Sequence, residues 1–130
     1  MAELQGQVAR LGLQDAVHFI GEVADARELM CAADIYLLSS NHEGMPNVIL
    51  EAMAAGVPSV ATPVNSIETL IQHGATGFIA APIVDELAVQ VARLAADPDL
   101  RLAMGARARV AVEEAYQPEQ VVRRLWALCD

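Results

Sequence analysis

An α/β domain built on a parallel sheet is the fold class this sequence predicts, on three observations. Short, nearly continuous apolar runs at residues 34–39, 59–64 and 77–81 alternate with segments whose apolar residues recur at helical spacing. Such runs suit strands buried on both faces, as parallel strands are. The composition is 55% hydrophobic but only 4% aromatic, which leaves Ala, Val, Leu and Ile to make the core. Alternating strands and helices imply a doubly wound sheet with right-handed crossovers. The 130 residues are enough for one real core and marginal for two, so residues 1–130 are read as one domain.

Taken in order, Leu4, Val8 and Leu11 mark a first helix that Gly12 stops, and a short strand is expected at Val17–Gly21. Asp25 is placed to cap a helix through about Ala33, before the run at 34–39. Pro46 suits the first turn of a helix to Ala55, since its missing N–H is an unsatisfied position there, and Gly56 with Pro58 ends it. The strand at 59–64 follows, then a short helix capped by Ser66 and running to about His73, then the strand at 77–81. Leu87, Val91 and Leu94 mark the face of a further helix. The remaining chain reads as helix broken at Asp97-Pro98 and again at Gln117-Pro118.

The net charge is −9 and the chain contains no lysine, which argues against nucleic-acid partners and anionic membrane surfaces, since both require a basic face. Arg101, Arg107 and Arg109, and the pair Arg123-Arg124, are read as solvated helix faces. Cys31 and Cys129 have no metal-ligand or CxxC spacing, and Cys31 is expected to be a small buried thiol in a protein of reducing compartments. No apolar run approaches the ~20 residues of a spanning helix. His18 is expected on a strand face, His42 solvated in a loop, and His73 at a helix C-terminus favoured by the dipole. No cluster has metal spacing, so no metal is expected.

The segment from Glu43 to Glu51 carries the functional signal. A helix N-terminus falls between two acids, where free N–H groups near Pro46 and Asn47 favour phosphate. Asn47 and Glu51 are four residues apart and share a face, while Ile49, Leu50, Met53 and Ala54 cover faces that can be buried. The arrangement suits an extended ligand with hydroxyls at both ends and a diphosphate between. As a bare pair, the two glutamates read as solvated acids, Glu43 favoured by the nearby helix dipole and Glu51 an ordinary exposed helix residue.

Ser39-Ser40, Glu43-Gly44-x-Pro46, Glu51-Ala-Met-Ala-Ala-Gly56-x-Pro58, Gly74-Ala-Thr-Gly-Phe78 and Asp97-Pro-Asp-Leu-Arg101 together resemble the large group 1 family of retaining glycosyltransferases (glycosyltransferase family 4-like) of the GT-B fold. The likeness runs from Leu4 to about Leu128 and belongs to the C-terminal, nucleotide-sugar-binding half, a Rossmann-like domain of which the first two strands are absent here. It implies transfer of a sugar from a nucleotide-diphosphate donor to a hydroxyl acceptor, for polysaccharide or glycolipid synthesis, with no protein-bound cofactor or metal. Carried onto this chain, Glu43 contacts the donor sugar and is the residue assigned to catalysis. Gly44, Met45, Pro46, Asn47 and Val48 meet sugar and diphosphate, and Glu51 holds the ribose hydroxyls. Gly21, Glu22 and Val23 stand where the family's backbone receives the base, or form a plain strand-to-helix loop.

The chain departs from the family at Pro63–Thr69, where two glycines are lost and the acid, Glu68, comes one residue early. The family's phosphate-binding Arg and Lys also have no counterpart, which predicts weak diphosphate binding. The expectations are therefore an N-terminally truncated donor domain whose acceptor domain is missing, inactive alone and prone to self-association through an exposed sheet edge. The full-length enzyme is expected to be cytoplasmic or membrane-peripheral. The alternatives are a non-catalytic nucleotide-sugar-binding or interaction module, and a GT-B-fold sugar-nucleotide epimerase. A dinucleotide-binding dehydrogenase drops out because Gly-x-Gly-x-x-Gly is nowhere in the chain.

Overall fold

The structure, a computed structural model, describes residues 1–23, 26–41, 47–64 and 66–116. Its elements are helices α1 (Ala2–Arg10) and α2 (Arg27–Ala32), strand β1 (Tyr36–Leu38), α3 (Asn47–Ala54), β2 (Ser59–Ala61), α4 (Ile67–Leu70), β3 (Gly77–Ile79), α5 (Val84–Ala96) and α6 (Pro98–Ala115). The three strands form one parallel sheet in the order β1-β2-β3, with Leu37, Val60 and Phe78 in register. The ladder continues past the strand ends, where Tyr36 N–H donates to the Pro58 carbonyl and Thr62 N–H to that of Leu38, both at 3.0 Å.

Alternation along the strands divides the core between two faces. On one, Leu38 and Ala61 pack with Ile49 and Met53 of α3, Ile67 of α4 and Ala108 of α6. On the other, Val60 and Phe78 pack with Leu94 of α5 and Met104 of α6. The sheet is thus covered on both sides, as its apolar runs require. Coverage fails at β1: Leu37 shares the face of Val60 and Phe78 yet is 48% exposed, and among the described residues no strand pairs with β1's outer side.

Helix α6 reaches both faces because it crosses α3 closely. Gly56 ends α3 at φ +73°, and a side chain on the buried Gly105 of α6 would collide with the Gly56 carbonyl oxygen. At the other end of α6, Pro98 sits in the first turn and Asp97 Oδ1 accepts the Leu100 N–H at 2.9 Å, the break the sequence marks there. The second break, at Gln117-Pro118, lies outside the described residues, as do Asp25, His42, Cys129 and Arg123-Arg124.

Several expectations need correction. Val17–Gly21 is not a strand: without a neighbouring ladder its backbone gains nothing from regular extension, and Val17, Phe19 and Ile20 are exposed, as is His18. Ser66 does not cap α4 with its side chain; it adopts φ +66°, and its carbonyl oxygen accepts the Thr69 hydroxyl at 2.6 Å. That helix stops at Leu70, so His73 is not at its terminus. Instead His73 Nδ1 accepts the Ile79 N–H at 3.0 Å, and its ring meets Phe78 edge-on. Cys31 is exposed, because the neighbouring Met30 takes the buried position of α2. Arg101 is not simply solvated either: it donates to the Leu94 carbonyl at 3.0 Å, satisfying an orphan acceptor at the end of α5, and pairs with Asp34 at 3.4 Å. Arg107 donates to the Ala75 carbonyl at 2.7 Å, whereas Arg109 makes an exposed pair with Glu113.

Candidate functional site

All three strands run the same way, so the loops leaving β1, β2 and β3 emerge at one end of the sheet, the end where ligands bind in open parallel α/β folds. The loop after β1 enters α3. Its approach is held by Thr62, only 2% exposed, whose hydroxyl donates to the Ser40 carbonyl at 2.5 Å. Thr62 therefore positions the chain that leads into the motif. Sequence reading missed it, because a threonine at a strand end gives no sign of a partner 22 residues away.

Glu43, Gly44, Met45 and Pro46 lie outside the described residues. Asn47, Val48 and Glu51 are on α3, which begins at Asn47. Ile49, Ala52 and Met53 are buried while Asn47, Glu51 and Ala54 are exposed, so the helix is clamped along one side and displays the other. This matches the shared face expected for Asn47 and Glu51; Ala54 is on the exposed side, not a buried one. Gly21, Glu22 and Val23 are exposed and outside any strand, with Gly21 at φ +68°.

Helix α2 packs beside α3 through Met30, Ala52 and Val57, and a cleft of about 280 Å³ remains between the two helices. Arg27, Met30 and Cys31 line one wall, and Glu51, Ala54 and Ala55 the other. Arg27 and Cys31 are four apart on α2, and that spacing was available in the sequence. The identity of the opposing helix was not. A larger cavity of about 450 Å³, between His73, Ile79 and Asp85-Glu86 of α5, includes none of the motif residues. Among the described residues no group of His, Cys, Asp and Glu could hold a metal, and no helix is long and apolar enough to cross a membrane.

Comparison with known proteins places this arrangement. The glycosyl transferases group 1 family matches residues 1–97. The chain is 39% identical over 117 residues to the N-acetyl-alpha-D-glucosaminyl L-malate synthase of Bacillus anthracis, covering 88% of this chain and 30% of that enzyme. Among solved structures, Anabaena HepE in complex with UDP superposes with a TM-score of 0.87 at 30% identity, over 97% of this chain and 36% of that one. The C-terminal domain of a glycosyl transferase group 1 family protein from Francisella tularensis superposes with a TM-score of 0.81 at 28% identity, over 90% of this chain and 62% of that one. The chain thus spans roughly a third of the length of the full-size relatives it matches.

Proposed function

The chain belongs to the glycosyl transferases group 1 family, and from that premise we propose that residues 1–130 form the donor-binding part of a retaining glycosyltransferase that moves a sugar from a nucleotide diphosphate to a hydroxyl acceptor. The observation that carries the reading is the display of Asn47 and Glu51 along the free side of α3, with the opposite side fixed in the core. A helix held this way meets a ligand without reorganising, and that is the condition for positioning and electrostatic stabilisation to contribute to catalysis. The Glu51 carboxylate is suited to accept two ribose hydroxyls, a charge-assisted contact. The diphosphate lies toward the N-terminal turn, against the backbone N–H groups of Gly44, Met45, Asn47 and Val48, and Glu43 meets the transferred sugar. Acceptor binding falls to a further domain of the whole enzyme, which acts in the cytoplasm or at its membrane surface.

Calorimetric titration of the chain with UDP tests the reading. Glu51→Gln is expected to weaken binding by about 1.5–3 kcal/mol, roughly ten- to more than a hundredfold. Glu68→Gln, on the exposed first turn of α4, is expected to leave it unchanged. Equal losses in both variants would remove Glu51 as the ribose clamp.

A further inference from the structure

We infer that His73 and Glu86 guard the outer edge of the sheet at β3, holding the backbone groups that would otherwise pair with a strand from a second copy of this chain. The inference is independent of sugar transfer. Among the described residues β2 is the only strand of the sheet paired with β3, and an unguarded edge strand is a template for further pairing. Successive amides of a strand alternate between its two sides. The Ala80 N–H donates to the Ala61 carbonyl of β2 at 3.0 Å, so the N–H groups of Ile79 and Ala81 point away from the sheet. Both already have acceptors. The Ile79 N–H donates to His73 Nδ1 at 3.0 Å, and the Ala81 N–H to Glu86 Oε2 at 3.2 Å. On the same side the Gly77 carbonyl accepts the Gly74 N–H at 2.8 Å.

Bulk alone does not close this edge. The cavity of about 450 Å³ lies alongside it, walled by Ile79 of β3 and by Glu86, Val89 and Gln90 of α5, and leaves room for an incoming chain. Such a chain meets two amides that are already bonded. Local structure holds both guards in place. The His73 ring stands edge-on to the buried Phe78, with centroids 5.6 Å apart, and Glu86 is fixed in the first turn of α5. Asp85 adds a second exposed acid to the rim, and the two repel an incoming copy whose net charge is −9. Each guard is no more than six residues from the amide it caps, so β3 carries its protection with it.

The test compares the full chain with His73→Ala, Glu86→Ala and the double variant, by amide hydrogen exchange and by light scattering over a concentration series. In dilute samples, exchange at Ile79 should quicken about tenfold in His73→Ala, and exchange at Ala81 by a similar factor in Glu86→Ala. Glu86→Gln keeps a side-chain acceptor and should restore the protection of Ala81. At high concentration the double variant should gain mass beyond the parent chain, and the Ile79 and Ala81 amides should regain protection as it does. Glu86 is exposed, so Glu86→Ala leaves the core intact and is read alone by the same two measures if the double variant fails to fold. A guard-free chain whose mass follows the parent at every concentration, or that gains mass without protecting those amides, overturns the inference. Unchanged exchange at both amides in the dilute single variants overturns it as well.

Discussion

Residues 1–23 and residues 34–116 contain the same kinds of apolar side chain and treat them in opposite ways. In the first region α1 buries nothing, and Leu4, Leu11 and Ile20 are all more than half exposed. In the second, Ile49, Val60, Phe78, Leu94 and Met104 are each 2% exposed or less. The difference is not hydrophobicity but the number of layers. The second region supplies a sheet and helices for both of its faces, so the inward apolar residues of β2, β3 and the helices packed on them meet another layer. The first presents apolar residues at the right spacing with no sheet to receive them. Periodicity states which face would be buried; a facing layer decides whether it is.

One substitution made in both regions measures that contrast most sharply. Phe78→Ala removes a ring that is 2% exposed between β2, α5 and the guanidinium of Arg93, which lies 5.1 Å above it, and should cost roughly 3–5 kcal/mol in urea unfolding. Gly105→Ala probes the closest crossing in the second region. The added methyl meets the Gly56 carbonyl, so α3 and α6 must separate, with an expected loss of about 1–3 kcal/mol in thermal denaturation. An unchanged midpoint would mean that the crossing is loose in solution. Asp97→Ala removes the side-chain cap of α6 and should cost about 1 kcal/mol, mostly recovered in Asp97→Asn. The start of α1 has no side-chain cap to lose. Smallest of all, Phe19→Ala should change stability by about 0.5 kcal/mol or less. A loss approaching that of Phe78→Ala would break the comparison, because it would place Phe19 in a packed environment.

The sheet was legible from the chain because its three strands follow one another in sequence and in space. Residues 34–39, 59–64 and 77–81 are apolar on both faces, and β1, β2 and β3 appear inside those ranges, parallel and in order. Asp97-Pro98 and Gly56 marked helix ends for local reasons, a cap and a left-handed turn, which need no distant partner. Strand prediction failed at 17–21 because a strand is completed only by its neighbour. On α2 the choice between Met30 and Cys31 for the buried position depended on how the helix rotates against α3, and adjacent apolar residues do not encode that rotation.

Sequence by itself determined the fold class, the family and the exposed stripe of α3 that carries Asn47 and Glu51, since all three follow from residue type and spacing along the chain. Tertiary structure decided which elements face one another. It brought Thr62 to the Ser40 carbonyl, Arg101 to the end of α5 and to Asp34, and Arg27 and Cys31 across a cleft from Glu51. Those contacts join residues up to 67 positions apart, Asp34 to Arg101 being the longest. Their cause is the packing of whole helices on a sheet, which fixes relative position through many shared contacts rather than through any local signal.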